Sequence, residues 1–246
     1  MLSAVIITKN EENTITQCMN SLAFCDEILV IDDFSVDRTT AIASKLGANV
    51  IKKKMEDFSQ QRNYAFEKTL GDWIFFVDAD EVVSTELAKE ITEIITKNKV
   101  FDGFSLKRDD IFLGKTLRFG ETAHINFCRL VKKGKGVWQG LVHERLEVRG
   151  KTGVLKNRLL HYSHANLTEF LEKINSYSTY RAMELKAKGE KTSFFDILWH
   201  FNAKFILNYF IRFGFLDGFL GLVMALMMSF HSFLVRSKLY LLTRNK

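Results

Sequence analysis

The chain of 246 residues contains no proline. Helix stops and turns must therefore come from glycine, from capping side chains or from composition alone. Cysteine is scarce. The three present, Cys18, Cys25 and Cys128, have no metal-ligand spacing, and an odd, sparse set suits a reducing compartment and excludes a disulfide framework. Cys18 falls on an apolar helical face and reads as core. A basic stretch followed by a long apolar run is also missing from the start. The chain opens Met-Leu-Ser-Ala-Val-Ile-Ile-Thr and reaches Lys9, Glu11 and Glu12 at once, which predicts a first strand in the cytoplasm and no export signal. The loop from Thr8 to Asn13 has no glycine, which argues against nicotinamide-binding and nucleotidyl-transferring versions of an α/β sheet. There are no internal repeats and no low-complexity tracts.

What is present is globular in composition, with 47% hydrophobic and 26% charged residues. The net charge is +6 and the isoelectric point about 9.1, which suits an anionic substrate, an anionic lipid surface or nucleic acid. The basic residues are dispersed and follow an apolar C-terminal region, and no reading motif is present, so nucleic acid is not an expected partner.

Hydrophobic patterning divides the chain into three stretches. In residues 1–100, apolar β-branched runs alternate with helical spacing. Strands are predicted over Leu2–Thr8, Glu27–Asp32, Ala48–Ile51 and Trp73–Val77. Between them lie helices carrying Ile15, Cys18, Met19 and Leu22, then Thr39–Leu46 stopped at Gly47, then Phe58–Leu70 stopped at Gly71. Ser84 can cap a fourth helix with Leu87, Ile91, Ile94 and Ile95 on its core face. This alternation implies an α/β fold, a doubly wound and mostly parallel sheet. Residues 101–165 change to short strands and glycine turns, including Gly103–Arg108, Asn126–Val131 and Trp138–Leu146. Residues 166–246 are helical. Asn166 and Glu169 form a capping-box-like start, and Leu167, Phe170, Leu171, Ile174 and Tyr177 follow at helical spacing. Gly218–Val235 then runs uncharged for about eighteen residues, near the lower limit of a membrane span. With Lys204, Arg212, Arg236, Lys238, Arg244 and Lys246 around it, an interfacial or re-entrant helical hairpin is the favoured reading. A single span and a buried or oligomer-interface helix remain alternatives.

Three polar clusters stand at predicted strand ends, where ligands bind in such sheets. Asp78-Ala79-Asp80 ends an apolar strand, and two carboxylates there are costly without a neutralising partner. A hard divalent cation, Mg²⁺ or Mn²⁺, is such a partner and also binds phosphate. Asp32 and Asp33 open the second cluster, where a carboxylate can accept the imide N–H of uracil, with Asp37 and Thr39 suited to capping the next helix. Thr8, Asn10 and Glu12 form the third, with Lys9 able to face phosphate. Arg62 can add a phosphate or sugar contact. Trp138 suits either sugar stacking or the core. Lys132, Lys133 and Lys135 read as a solvated turn, with contact to acceptor phosphates the alternative.

The segments AVIITKNEENTI, EILVIDDFSVDRTT, SQQRNYAF, GDWIFFVDADEVV and GVWQGLVHERL resemble glycosyltransferase family 2, and within it the bacterial lipopolysaccharide-core β-glucosyltransferases that use UDP-glucose on inner-core heptose. The resemblance covers nearly the whole chain, including the apolar tail. It implies a GT-A fold in which residues 1–100 bind a nucleotide-sugar, 101–165 bind the acceptor and 166–246 associate with the membrane. It implies an inverting, metal-dependent transfer from a UDP-sugar to a lipid-linked glycan at the inner face of the cytoplasmic membrane of a Gram-negative cell. Asp33, beside Asp32, matches the uracil position. Asp78 and Asp80 match the Asp-x-Asp pair, with Asp80 the more direct metal ligand. Val142-His143-Glu144 matches an acceptor-side motif, with Glu144 as general base. Of His124, His143, His161 and His164, His161 is the candidate for metal or diphosphate, because relatives place a histidine late in the catalytic domain; a structural hydrogen-bonding histidine is the alternative. Phe34 and Val36 depart from the family's usual Asp-Asp-Gly-Ser-Thr-Asp. Transfer to another lipid-linked or capsular glycan is an alternative. So is a non-catalytic membrane-associated module, which would keep its activity without Asp80.

Overall fold

Runs of β-branched and aromatic residues form the first four strands, β1 (Leu2–Thr8), β2 (Glu27–Asp32), β3 (Asn49–Lys52) and β4 (Trp73–Asp78). The computed structural model describes residues 1–121, 126–140, 144–164 and 166–244. The four strands are parallel, in the order β3-β2-β1-β4. Both faces of this sheet are covered, which is why the strands are apolar at nearly every position. Ala4, Ile6, Val30, Phe75 and Val77 point to one core with Ile15, Cys18, Met19, Leu22, Leu87 and Ile91. Val5, Leu29, Ile31, Ile74 and Phe76 point to the other with Ala65, Phe66, Trp138 and Leu146. Helices α1 (Ile15–Ser21), α2 (Thr39–Lys45) and α4 (Thr85–Lys97) cover the first face, and α3 (Phe58–Lys68) covers the second.

Local chemistry sets these boundaries. Gly47, at φ +88°, ends α2 in the left-handed region. Ser84 caps α4 by accepting the Leu87 amide, as expected from sequence, and Asp57 caps α3 by accepting the Gln60 amide. Gly71 has a different role from the helix stop expected of it. The helix already ends at Lys68, and a Cβ on Gly71 would sit 2.6 Å from Ser3 Oγ and 2.9 Å from the Met1 carbonyl, so the glycine permits a close backbone approach.

Beyond β4 the sheet becomes mixed. β8 (Asn126–Lys132) pairs antiparallel with β4, and β6 (Gly103–Phe112) pairs antiparallel with β8. The sheet continues through β12 (Leu159–His164) to β5 (Glu81–Val83), with β11 (Thr152–Val154) parallel to β6. The expected strand over Trp138–Leu146 is instead an antiparallel pair, β9 (Gly136–Gln139) and β10 (Arg145–Val148). Gly140, at φ +108°, takes the chain out of β9 in a conformation that ordinary residues avoid.

The chain forms two units, Met1–Arg108 with Ile125–Tyr162, and Asp109–His124 with Ser163–Lys246. The second contains β7 (Lys115–Leu117), α5 (Leu167–Ala187), α6 (Phe194–Ile206) and α7 (Phe219–Arg244), with one π-helical turn, Leu207–Ile211, and one 3-10 turn, Gly214–Asp217, between α6 and α7. Its core joins Phe112, Leu117, Phe170 and Ile174 to the apolar side chains of α7. Asn166 accepts the Glu169 amide at the start of α5, as its sequence predicts. Only Phe170 and Ile174 of the expected α5 stripe are buried, whereas Leu167, Leu171 and Tyr177 are exposed. Among the described residues α7 is the one helix long and apolar enough to cross a membrane.

Candidate active site

Strand register brings the first polar clusters together. Thr8 lies opposite Asp32 on one side of β1, and Ile7 lies opposite Asp78 on the other. The ends of β2, β1 and β4 are therefore level. With neighbouring strands about 4.8 Å apart, the backbones of Asp32 and Asp78 lie roughly 10 Å from each other across β1.

The loops after β1 and β2 are laced together. Asp32 is fully buried and accepts the amide and hydroxyl of Ser35. The Asn10 amide donates to Ser35 Oγ at 2.8 Å, and Asn10 Oδ1 accepts the Val36 amide at 2.9 Å. Asp37 receives the Glu12 amide at 3.1 Å and the Thr39 amide at 3.0 Å and so ties the two loops, while the N-cap position of α2 is Arg38, whose side chain makes no cap bond. Glu12 accepts from the Arg38 backbone and guanidinium, which lowers its pKa. Asp33 receives Lys9 Nζ at 2.7 Å and the Met55 amide at 2.9 Å. Burial opposes its charge, but these donors outweigh it and hold its pKa below the usual value. Lys9 thus serves Asp33 in this structure. Thr8 Oγ1 is buried with no hydrogen-bond partner among the described residues. Phe34 stands at φ +51°, a conformation that favours glycine, with its ring exposed.

The second half of the site is a buried ionic cluster at the end of β4. One carboxylate oxygen of Asp78 accepts Arg62 Nη2 at 2.7 Å, and the other accepts Arg129 Nη2 at 2.9 Å. Burial opposes the Asp78 charge, and Arg129 and Arg62 outweigh it, so its pKa lies far below the carboxylate range. Arg62, from α3, also reaches Glu144 at 3.2 Å and stacks on Trp138 with its guanidinium carbon 4.5 Å from the ring centre. Glu81 accepts the Asp78 amide at 2.8 Å and faces Arg108 at 3.5 Å and Arg129 at 3.6 Å. Burial, against the pull of Arg129, raises the Glu81 pKa. Cys18, in the core as expected, donates its thiol to the Asp78 carbonyl.

Asp80 lies on the turn into β5. Its Oδ2 is 3.4 Å from His161 Nε2, and the Tyr162 amide donates to its carbonyl at 2.9 Å. β12 pairs with β5 so that His161 faces Glu81 across the ladder, which brings a residue from late in the chain to the acidic turn. Of the residues singled out from sequence, Asp78, Asp80, Arg62, Glu144 and His161 gather here, and Thr8, Asn10, Glu12, Asp32 and Asp33 gather at the adjoining tips. His124, Val142, His143 and the His164 side chain lie outside the described residues. Lys132 and Lys133 do not join the site, since Lys132 pairs with Asp102 and lies opposite Trp73 at the far end of β4. Trp138 is buried edge-on to Phe76 at 5.1 Å, which removes it as a platform for sugar stacking.

Sequence reading missed Arg129 and Arg108, and placed Glu81 in the acidic cluster without a role. A signal was present for Arg129, because a cation inside the apolar run Asn126–Lys132 needs a buried acid. Asp78 has both oxygens committed to arginines. Asp80 and His161 face each other, and a carboxylate oxygen with an imidazole nitrogen suits Mn²⁺ better than Mg²⁺ when phosphate and water supply the remaining positions. No three ligand-type side chains converge among the described residues, so such a cation would depend on those further donors.

A parallel sheet with acidic strand tips, flanked by a mixed sheet that carries a carboxylate and a histidine back to them, defines a GT-A type enzyme. The model for glycosyl transferase family 2 matches residues 3–143, and the chain belongs to that family. It is a glycosyltransferase that uses a nucleotide-sugar. An uncharacterized glycosyltransferase of Rickettsia felis is 34% identical, over 97% of this chain and 89% of its own. The lipopolysaccharide core biosynthesis glycosyltransferase LpsC of Rhizobium meliloti is 27% identical, over 97% of this chain and 92% of its own. In fold, the chain is similar to glucosyl-3-phosphoglycerate synthase of Mycobacterium tuberculosis with phosphoglyceric acid, at TM-score 0.53 and 18% identity over 78% of this chain and 81% of that one. The same enzyme has been solved with Mn²⁺, UDP-glucose and phosphoglyceric acid, and that structure matches at TM-score 0.50 and 17% identity, with the same coverage of both chains.

Proposed function

We propose that this enzyme transfers glucose, with inversion, from UDP-glucose to an inner-core heptose of lipopolysaccharide or lipooligosaccharide at the inner face of the cytoplasmic membrane. The level strand tips carry the donor half of this reading, because they set Asp33 and the Asp80–His161 pair on one edge of the sheet. The named relative LpsC supports the acceptor half, and the Mn²⁺ and UDP-glucose complex of the fold neighbour supports the donor.

Asp33 would accept the uracil imide through its remaining lone pairs. Asp80 and His161 would hold the divalent cation, which neutralises charge on the departing diphosphate. Arg62 and Arg129 keep Asp78 ionised and fixed, so the electrostatic field at the strand tips is set before donor arrives. Glu144, oriented by Arg62, would take the proton from the acceptor hydroxyl as it attacks the anomeric carbon. The acceptor oxygen forms its bond to that carbon on the face opposite the leaving UDP, which inverts the configuration.

A donor screen with purified enzyme and Mn²⁺ or Mg²⁺, read as UDP release in the presence of heptosylated acceptor, tests the assignment. UDP-glucose should be turned over fastest, and failure to turn over any UDP-sugar removes the donor assignment. Glu144→Gln should lower kcat by about 10²–10⁴ with the donor KM little changed. Asp80→Asn should abolish both turnover and the stabilisation of donor binding by Mn²⁺ in calorimetry.

A further inference from the structure

The turn between α6 and α7 has its polarity reversed. Asn208 and Asp217 are 2% and 5% exposed, whereas Phe219 is 75%, Ile211 62%, Leu216 56%, Phe210 54% and Phe213 54% exposed. The buried polar groups are fully used. The Asp217 carboxylate accepts the amides of Arg118 at 3.1 Å and Phe119 at 3.0 Å. Asn208 donates to Glu121 at 3.1 Å, and Glu121 pairs with Lys204 at 2.6 Å. The Arg212 carbonyl accepts the Gly120 amide at 3.0 Å. A turn meeting only water would gain by the opposite arrangement.

The tip is preformed rather than slack. A Cβ on Gly221 would lie 2.0 Å from the Gly214 carbonyl oxygen, so the first turn of α7 is seated directly on the 3-10 turn. Phe213 stands at φ +57°, where glycine would be unstrained, and its ring is half exposed. Packing within the fold gives little return for an aromatic side chain there.

Charge identifies what covers this face. Residues 109–124 and 163–246 hold 13 lysines and arginines against 9 acids. Around the tip Lys115 and Arg118 are exposed, while the nearby acids Glu121 and Asp217 are engaged in the interior. Exposed aromatic side chains beside cations suit the headgroup layer of an anionic bilayer.

The packing of α7 opposes a crossing. Its 26 residues are long enough to span a bilayer. However, α7 lies along α5, where Lys238 Nζ donates to the Asn175 carbonyl at 2.6 Å and to Thr179 Oγ1 at 2.7 Å. α5 carries Glu169, Glu172, Lys173, Arg181 and Glu184, and carrying these into hydrocarbon with α7 is strongly unfavourable.

We propose that the α6–α7 turn is a built insertion tip that seats in the interface of an anionic leaflet, and that α7 does not cross the bilayer. This deepens the proposed membrane location, but its test needs neither donor nor acceptor. Full-length protein should sediment with phosphatidylcholine vesicles that contain phosphatidylglycerol and much less with phosphatidylcholine alone. Each of Phe210→Ser, Phe213→Ser and Phe219→Ser should weaken partitioning by about tenfold, with donor hydrolysis unchanged. Phe213→Gly relieves the backbone strain, so it should weaken binding while leaving the Tm within a few degrees of the parent, which separates docking from misfolding. In a Trp199→Phe background, Phe213→Trp fluorescence should be quenched more by lipids brominated near the headgroup than by deeply brominated ones. Extraction by alkaline carbonate should release the protein. Resistance to carbonate with deep quenching would overturn the proposal in favour of a span. Unchanged vesicle binding by the serine variants, with loss of a dimer in sedimentation equilibrium, would overturn it in favour of a second copy on this face.

Discussion

A half-buried carboxylate at the end of a β-strand is held in its charged form by the cations that reach it. Asp78 has two, and Arg129 supplies one of them from a strand 51 residues later in the chain. Arg129→Met would leave Asp78 and Glu81 short of a partner in a buried setting. The expected cost is about 3–5 kcal/mol in urea unfolding. Asp33 supplies a pH-dependent term. Its folded pKa is depressed, so the stability it contributes is complete above the unfolded value of 3.8 and is lost as the pH falls through the lower folded value. Asp33→Asn should lower the Tm at neutral pH, and the deficit should shrink and vanish as the scans go below 3.8 and through the depressed folded value. The carboxylates themselves were legible in the sequence, because acids at the ends of apolar runs are abnormal without a ligand or partner. Their partners were not, because Arg62, Arg129 and Arg108 meet Asp78 and Glu81 through strand register and helix placement, which local pattern does not contain. The same limit applies to Lys9. Its residue type suggested phosphate, and only the fold brings it to Asp33.

At the scale of elements, periodicity located β1 and β2 to the residue, since both are buried on two faces and end at a change to polar sequence. It misread elements whose limits depend on distant contacts. β6 runs on to Phe112 because Asp110, Ile111 and Phe112 find partners in β7. Trp138–Leu146 divides into two strands, and Asn63 on α3 holds Trp138 by both its amide and its carbonyl, each at 2.9 Å. The capping box of Ser193 and Asp196 starts α6, and its spacing is present in the sequence. Gly71 gives the sharpest test at this scale. Gly71→Ala would press a methyl onto the backbone of Met1 and Ser3, none of which can swing aside. Destabilisation of about 1–3 kcal/mol is expected in urea unfolding, with no change in helix content by circular dichroism because α3 ends before it.

For the whole molecule, the proposed donor groups all belong to the first unit, so nucleotide should stabilise the protein through that unit. At a UDP concentration about a hundredfold over Kd, with Mn²⁺ present, linkage predicts a gain of about 2.7 kcal/mol, measurable as a rise in Tm. Omitting Mn²⁺ should remove most of it if Asp80 and His161 hold the cation. The second unit carries a different consequence. A hydropathy scan counts α7 as one crossing and would assign the two ends of the chain to opposite compartments. If α7 stays along its charged neighbour, as proposed, both ends share one compartment. A reporter enzyme fused after α7 would then work where the catalytic sheet works, and a gene-wide census of integral proteins built on hydropathy alone would file this chain in the wrong column.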